Sequence, residues 1–395
     1  MNYILNSKSV ALKNKYKIGV LIHLYYYDSV SKYEKYIKNI PKQVDILITY
    51  SDQKVLEQLQ NIKSEMTNQF VFIEKKNRGR DISALLVAAR KYILNYDIIC
   101  FIHDKKSKNK VLEEDTEKWI YSLWENSLSS ESYIKNVLSI FEKKDNVGVL
   151  TPPIYCGDIF SAEIINQWGA NYEILRKMFE DTKVKKIPSQ GTIIKAFGTV
   201  FWARVDALKK LLYKDWKYDD FDDEPLADDG TISHAIERSI CFYAEDAGYE
   251  CHTIMTKEYA ELEIQKIYGA LFNAIQVLNE NFGCRNLKEI RQFDNKKEEL
   301  KEFCLKQKKV YIYGAGKYGK TCLNVLRMLN IQPCAFIVTS KVENFDEVDC
   351  LPVIELQKDM FDKETGIIIA VSEKNRRDIL ELLFLKIDIK NIYFF

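Results

Sequence analysis

The amino-terminal half of the chain alternates between continuous apolar runs and segments whose apolar residues recur at helical spacing. A continuous apolar run is typical of a strand buried on both faces of a sheet. Such runs occupy residues 17–24, 44–50, 69–74 and 96–103. Helical spacing occupies residues 33–39, 53–66 and 82–94. Strands that alternate with helices at this pace predict an α/β fold with a mostly parallel sheet and helices on both faces.

The same alternation continues to about residue 256 and then changes character. Further strands are predicted at 147–152, within 190–205 and at 248–254, and further helices at 119–143, 205–212 and 232–247. Residues 257–308 read as helical throughout, whereas 309–395 return to a β-α-β pattern. We therefore predict a first domain over 1–256, a helical connector over 257–308 and a small second domain over 309–395.

Composition narrows the class of protein. The chain has 395 residues, 47% hydrophobic and 29% charged, with 58 Lys plus Arg against 57 Asp plus Glu. A net charge of +1 gives no overall attraction to nucleic acid, so a nucleic-acid partner is not expected. None of the nine Cys forms a Cys-x-x-Cys pair, and no long uncharged apolar run occurs. We expect a cytoplasmic protein, with peripheral contact at the inner face of the membrane left open and the oligomeric state undetermined.

A basic loop follows the third predicted strand. Residues 75–80 hold four cations around Gly79, ahead of a predicted helix for which Asp81 is the expected N-cap. Arg side chains and backbone N–H groups at a helix start suit a diphosphate. A solvated basic turn remains the alternative.

The fourth predicted strand ends in His103-Asp104-Lys105-Lys106-Ser107. One carboxylate, Asp104, is a sparse set of ligands for Mg²⁺ or Mn²⁺. The two lysines offer another way to neutralise a diphosphate. The third interpretation of this segment is an ordinary surface loop.

An acidic pair, Asp228-Asp229, precedes the helix predicted at 232–247. Asp228 or Asp229 lies near the expected N-cap, so these carboxylates are held close to the helix start. His234, Glu237 and Arg238 are three or four residues apart and therefore share a helix face. The face is either functional or simply solvated.

A glycine loop, Gly314-x-Gly316-x-x-Gly319, lies between a predicted strand and a predicted helix, as in dinucleotide-binding proteins. The acidic residue expected about 20 positions later is absent. A tight turn with no bound cofactor is an equal alternative.

Five motifs in this order resemble the rhamnan synthesis F family of bacterial cell-surface polysaccharide glycosyltransferases. They are Ile22-His23-Leu24-Tyr25-Tyr26, Asn77-Arg78-Gly79-Arg80-Asp81, the 103–107 segment, 198–204 and 229–238. The resemblance covers about residues 17–255 and implies a GT-A-like domain. Residues 309–395 more weakly resemble the small Rossmann-like domains found beside bacterial sugar-modifying enzymes.

The resemblance also implies roles for individual residues. Asp229 takes the place of the general base, with Asp228 and Glu224 as rivals and His234 beside them. The donor side comprises Tyr25, Asp52, Asn77, Arg78, Arg80, Asp81, His103, Asp104, Lys105, Lys106 and Ser107. The acceptor side comprises Trp202, Glu224, Glu237 and Arg238.

The leading hypothesis is therefore an inverting glycosyltransferase without a covalent cofactor. It would move rhamnose or a related hexose from a nucleotide-diphosphate donor to a glycan or lipid-linked glycan. Two alternatives stay open: an NAD-dependent sugar epimerase or reductase that uses the glycine loop, and a non-catalytic scaffold of a glycan assembly complex.

Overall fold

A computed structural model describes residues 2–6, 8, 10–106, 113–155, 168–223, 225–227, 229–284, 286–341, 346–357, 360–383 and 387–395. The chain divides into two compact units, residues 1–263 and residues 264–395. Most of the segment predicted as a connector thus groups with the carboxyl-terminal unit.

The first unit is built on an eight-stranded sheet in the order β1-β8-β6-β7-β5-β2-β3-β4. All neighbouring pairs in it are parallel except those made by β7, which runs antiparallel to β5 and β6. The strands are β1 (Asn2–Leu5), β2 (Ile18–His23), β3 (Asp45–Tyr50), β4 (Phe70–Glu74), β5 (Ile98–His103), β6 (Val147–Thr151), β7 (Phe201–Arg204) and β8 (Glu250–Thr256).

Helices cover both faces of this sheet, and a separate hydrophobic core lies under each face. A π-helical turn, Ala84–Ala88, lies between the third and fourth helices. The helices are α1 (Val30–Lys38), α2 (Gln53–Ser64), α3 (Arg80–Ser83), α4 (Arg90–Ile93), α5 (Glu113–Leu128), α6 (Glu131–Lys143), α7 (Tyr172–Asp181), α8 (Lys209–Tyr213) and α9 (Ile232–Asp246). The predicted α/β class is confirmed.

The direction of β7 could not be foreseen from the apolar pattern. Gly198 and Thr199 have φ angles of 96° and 53°, and these left-handed conformations turn the chain just before the strand begins. Phe201, the first residue of β7, pairs with Phe101 near the end of β5. The Gly198-Thr199 turn therefore lies at the edge of the sheet where the parallel strands end.

The chain reverses its direction of travel across the sheet between β2 and β5. It runs outward from β2 through β3 to β4 and then returns to β5 on the other side of β2. In open α/β sheets, a crevice forms beyond the carboxyl ends of the strands at such a switch point, and ligands bind there. His23 and His103, the last residues of β2 and β5, are directly opposite each other at that point.

The second unit has a six-stranded sheet in the order β11-β12-β10-β9-β13-β14, parallel except for β11. Its strands are β9 (Lys309–Tyr313), β10 (Phe336–Val338), β11 (Glu347–Val348), β12 (Leu351–Glu355), β13 (Thr365–Ile369) and β14 (Ile392–Phe394). The remaining helices are α10 (Lys257–Phe282), α11 (Leu287–Leu305), α12 (Lys317–Met328) and α13 (Glu373–Leu383). Among the described helices, none is long and apolar enough to span a membrane.

Trp202 does not lie on an acceptor side, contrary to the expectation from the resemblance. Its side chain is 0% exposed, belongs to the core between the sheet and α5, and donates through Nε1 to the carbonyl oxygen of Ser127 at 3.2 Å. The pleat of β7 turns Trp202 inward, so its role is packing.

We expect Trp202→Ala to destabilise the first unit by about 3–5 kcal/mol, because it opens a large cavity in a closely packed core. Tyr213→Ala, which removes a largely exposed ring from α8, should change stability by less than about 0.5 kcal/mol. Denaturant unfolding followed by circular dichroism measures both. Equal stability of the two variants would contradict the burial of Trp202.

Candidate functional site

The carboxyl edge of the sheet at β2 and β5 carries the first component of the site. Asp104, directly after β5, is buried, and its carboxylate accepts hydrogen bonds from the backbone N–H groups of Tyr25 and Tyr26 and from the hydroxyl of Ser29 at 2.8–3.1 Å. Burial nevertheless raises the pKa of Asp104 to about 6. Asp104 thus fixes the loop that follows β2.

These bonds occupy both carboxylate oxygens of Asp104, so its arrangement does not fit the metal-ligand role suggested by the sequence. Within the described part of the chain, no three His, Cys, Asp or Glu side chains are grouped to hold a metal ion.

His103 connects three segments that are far apart in sequence. Its Nε2 lies 2.8 Å from the carbonyl oxygen of Gly198 and 3.5 Å from Oδ2 of Asp81, and its Nδ1 lies 2.8 Å from the carbonyl oxygen of Asp104. Every partner is an acceptor, so the ring joins the loops after β4 and β5 to the turn before β7. Burial alone would raise the pKa of Asp81, but the nearby His103, His23 and Lys105 hold it below its usual range.

Glu237, on α9, holds the other side of the Gly198-Thr199 turn. Its carboxylate accepts from the backbone N–H of Gly198 at 3.1 Å and from the hydroxyl of Thr199 at 3.4 Å. The turn is therefore fixed from β5 by His103 and from α9 by Glu237. Glu237 therefore positions this turn, which differs from the acceptor contact that the resemblance implied.

Asp229 occupies a polar site of its own just before α9. Its carboxylate accepts from Asn171 Nδ2 at 2.6 Å and from the backbone N–H of Ala170 at 3.3 Å, and it pairs with Arg238 at 3.2 Å. Burial would raise the pKa of Asp229, but the Asn171 hydrogen bond and the Arg238 charge hold it below its usual range. The Asp229 side chain is 39% exposed, so this ionised group stays open to a ligand.

Sequence reasoning missed Asn171. Its side chain is buried, donates to Asp229 and to the carbonyl oxygen of Trp168, and accepts from the backbone N–H of Gly230. Asn supplies both donors and an acceptor in one group, which this junction requires. The small residues Gly169 and Ala170 just before it were the available signal.

His234 lies on the first turn of α9, and its Nδ1 is 2.8 Å from the hydroxyl of Thr231. Burial lowers the pKa of His234, and the nearby positive charges of Arg238 and Arg80 act in the same direction, while Glu237 and Asp229 oppose them. Arg80 and Asp229 therefore both lie within electrostatic reach of one imidazole. The early basic loop and the late acid thus share one part of the protein.

Arg80 also reaches the loop after β2, where its charge acts on the hydroxyl of Tyr26. In the same region, Asn77 Nδ2 donates to the hydroxyl of Tyr25 at 3.2 Å. Arg80 has φ 44°, directly after Gly79 with φ 72°. A left-handed conformation at a non-glycine residue is strained and is commonly found at functional sites.

Other basic side chains of the predicted donor side have protein partners. Arg78 donates to the carbonyl oxygen of Phe221 and pairs with Asp219 and Asp223 at 3.1–3.2 Å. Lys106 pairs with Asp28, and Lys105 lies 3.6 Å from the ring centre of Trp119. Arg78 therefore connects the basic loop to the acidic segment before α9.

One predicted helix cap is wrong. Gly79 rather than Asp81 is the N-cap of α3, because Asp81 turns toward His103. Thr231, two residues after Asp229, is the N-cap of α9. Asp52 does cap α2, accepting from the backbone N–H of Lys54, and is otherwise an exposed side chain.

Three predicted site residues, Ser107, Glu224 and Asp228, lie outside the described residues. Their predicted roles stay predictions.

In the second unit, the three glycines of the loop after β9 differ in their surroundings. A Cβ on Gly314 or Gly319 would lie 2.7 Å from the Ala370 carbonyl oxygen or 1.8 Å from the Gly314 carbonyl oxygen, whereas a Cβ on Gly316 would meet open space. Gly314 and Gly319 are therefore required by packing. The Rossmann-like assignment and cofactor binding stay predictions.

The fold and the site define an α/β protein with a group of polar side chains at the switch point of its larger sheet. The family model of rhamnan synthesis protein F matches residues 1–249, and the chain belongs to that family. It is also similar to an uncharacterized protein called WxcX from two strains of Xanthomonas campestris pv. campestris, B100 and ATCC 33913. Identity to each is 27% over 241 residues, covering 60% of this chain and 32% of the relative. The chain thus spans about a third of the length of these curated relatives.

His23 generates a prediction about pH. Burial lowers the pKa of His23 to about 3, and the nearby Lys75 adds to the effect. The unfolded chain binds this proton near pH 6.5, so stability is complete above that pH and falls by up to about 1.4 kcal/mol per unit as the pH drops toward 3.

We expect His23→Asn to remove this part of the pH dependence, measured by denaturant unfolding at several pH values. Thr49→Val is the matched control, because it removes the hydroxyl 3.0 Å from His23 Nδ1 and keeps the imidazole. The control should be less stable but retain the fall. Identical slopes for the parent and His23→Asn would refute the assignment.

Proposed function

We propose that the chain is a glycosyltransferase that transfers a sugar from a nucleotide-diphosphate donor during synthesis of a bacterial surface polysaccharide. Family membership supports the role in polysaccharide synthesis. The observation that supports the enzyme assignment is geometric: His103 lies 3.5 Å from Asp81, the neighbour of Arg80, and 2.8 Å from the carbonyl oxygen of Gly198, whose turn is also held by Glu237 on the helix that follows Asp229. The proposal takes Arg80 as the cation for the leaving group and the Asp229 carboxylate as the base for the acceptor.

The donor would lie against the loops after β2 and β4. Arg80 supplies the cation for the diphosphate, and Lys105, whose charge reaches Asp81, is a second candidate. Arg–phosphate contacts are strong because charge and hydrogen bonding act together. The exposed Tyr25 ring, fixed by Asn77, offers a face for the base or the sugar.

The acceptor would approach from the side of α9. Asp229 takes the proton of the acceptor hydroxyl while the acceptor oxygen forms a bond to the anomeric carbon. The bond from that carbon to the diphosphate oxygen breaks, and the nucleoside diphosphate leaves with the electron pair. Arg80 neutralises the negative charge of this leaving group. A single displacement of this kind inverts the anomeric centre.

His234 is the rival base. Its lowered pKa keeps the ring neutral at neutral pH, and a neutral ring accepts a proton. Asp229 is favoured because it is ionised and oriented by Asn171 and Arg238. The two candidates differ in the pH at which activity would be lost.

Calorimetric titration with a panel of nucleotide sugars, followed by turnover assays with the sugar that binds, is the first experiment. Binding with transfer or slow donor hydrolysis supports the proposal. Binding without turnover with any acceptor favours a scaffold. A nicotinamide signal on the purified protein and no nucleotide-sugar binding would favour the epimerase or reductase alternative.

We expect Arg80→Gly to raise the donor dissociation constant about tenfold to a hundredfold, because it removes a charge-assisted phosphate contact. Glycine adopts positive φ readily, so the loop should keep its shape and its stability. Arg176→Ala, which removes an Arg paired with Glu173 and Glu180 on α7, is the control and should bind normally. Equal donor binding by the parent and Arg80→Gly would exclude a role for Arg80.

We expect Asp229→Asn to reduce turnover by about 10²–10⁴ with little change in donor affinity, because it removes the base. Asp206→Asn is the matched control, since Asp206 follows β7 at the opposite edge of the sheet and bonds Tyr249. A thermal melt checks that loss of the Asp229–Arg238 pair has not unfolded the variant.

The pH profile of the parent tests the base independently. Activity falls as the pH drops through the pKa of the base, so with Asp229 it should remain level well below pH 6.5. With His234 as base, the fall would follow the lowered pKa of that imidazole and would disappear in His234→Asn. An Asp229→Asn variant with the rate of the parent would exclude Asp229.

A further inference from the structure

Helix α10 exposes a regular apolar surface that the proposed transfer chemistry does not use. Six apolar residues recur along its carboxyl-terminal part at alternating spacings of four and three. They are Ile264, Tyr268, Leu271, Ile275, Leu278 and Phe282, defined here as the α10 seam. This alternation is the heptad pattern by which helices pack against one another in coiled coils.

Two of the six residues of the α10 seam, Ile264 and Tyr268, are exposed to solvent, and the other four are half-buried. Tyr268 is 58% exposed, and the flanking Ile267 and Phe272 are 63% and 68% exposed. Phe282, at its end, packs against Phe293 in the second unit. Contiguous apolar surface of this kind marks an interaction site, and helices gain most of their stability from packing an apolar face.

The charges on α10 favour a second copy of the same chain as the partner. Between Ile264 and Phe282, the charged residues are Lys266 and Glu280, and both lie on the side opposite the α10 seam. The positions flanking the seam carry no charge, and they are Gln265, Ile267, Phe272, Ala274, Asn279 and Asn281. Charges at these positions normally select a different partner, whereas their absence lets two identical helices pair without repulsion.

A membrane surface fits α10 less well. Helices that lie on anionic membranes carry Lys and Arg along their polar face. In α10 that face has one cation and one acid between Ile264 and Phe282. The electrostatic part of membrane binding is therefore missing.

The available area is sufficient for a weak dimer. With about 150–250 Å² for a whole aromatic side chain, the exposed parts of the α10 seam and its flanks amount to roughly 600 Å² per copy. A standard interface buries about 800 Å² per partner. We propose that the protein forms a homodimer in which the α10 seams of two copies pack together.

Sedimentation velocity of the full chain over a wide concentration range tests the proposal. The parent should sediment as a dimer that dissociates on dilution. Leu271→Asp should shift the protein to monomer, because it places a charge in the seam. Asn273→Asp introduces the same charge two residues away on the opposite side of α10 and should leave the dimer intact.

Circular dichroism and thermal melts of both variants show whether the units remain folded. Flotation with vesicles of phosphatidylcholine and phosphatidylglycerol provides the competing outcome. A parent that is monomeric at every concentration, a monomer that floats with the vesicles, or a dimer that Leu271→Asp leaves unchanged would each overturn the proposal.

Discussion

The arrangement of the candidate site depends on the buried ring of His103. It stands at the end of β5, faces the carbonyl oxygens of Asp104 and Gly198, and lies 3.5 Å from Asp81. One side chain thus joins the loop after β4, the loop after β5 and the turn before β7. A buried polar group of this kind is stabilising only if all its partners are present. The three segments therefore depend on one another, because each supplies a polar partner to the contacts of this ring.

Neutralisation of charge follows the same pattern across the site. Arg78 is matched by Asp219 and Asp223, Arg238 by Asp229, and Lys106 by Asp28. Basic and acidic side chains are therefore balanced within the site, as they are in the whole chain. In the proposed function, a donor diphosphate would compete with these carboxylates for the same cations.

The sequence predicted the strands and helices of the first unit well because each is a long run with a clear period. It also brought the motifs to one edge of the sheet, since residues after parallel strands meet there. It could not predict what depends on three-dimensional approach. The inward direction of Trp202, the reversed direction of β7 and the contacts of Asn171 are set by chain segments far away in sequence.

The cap predicted at Asp81 failed for the same reason. Asp81 has a side chain that local rules prefer at an N-cap, yet it lies 3.5 Å from His103, while Asp229 pairs with Arg238. Glycine and threonine cap the helices. A residue that local rules favour as an N-cap but that contacts a distant side chain instead indicates a functional site, because stability of the helix alone would favour the local cap.

Two strained turns flank the crevice, and their strain is the last link between fold and chemistry. Gly79-Arg80 and Gly198-Thr199 are consecutive left-handed pairs, and in each the second residue carries a side chain that disfavours positive φ. Ser83 binds the carbonyl oxygens of Arg78 and Arg80 in the first turn, while His103 and Glu237 hold the second. A Cβ on Gly79 would lie 2.7 Å from the Phe221 ring, so the first turn is also fixed by the acidic segment. Strain held from several sides keeps backbone and charge in place before a ligand arrives, and such preorganisation is what stabilisation of a leaving diphosphate requires.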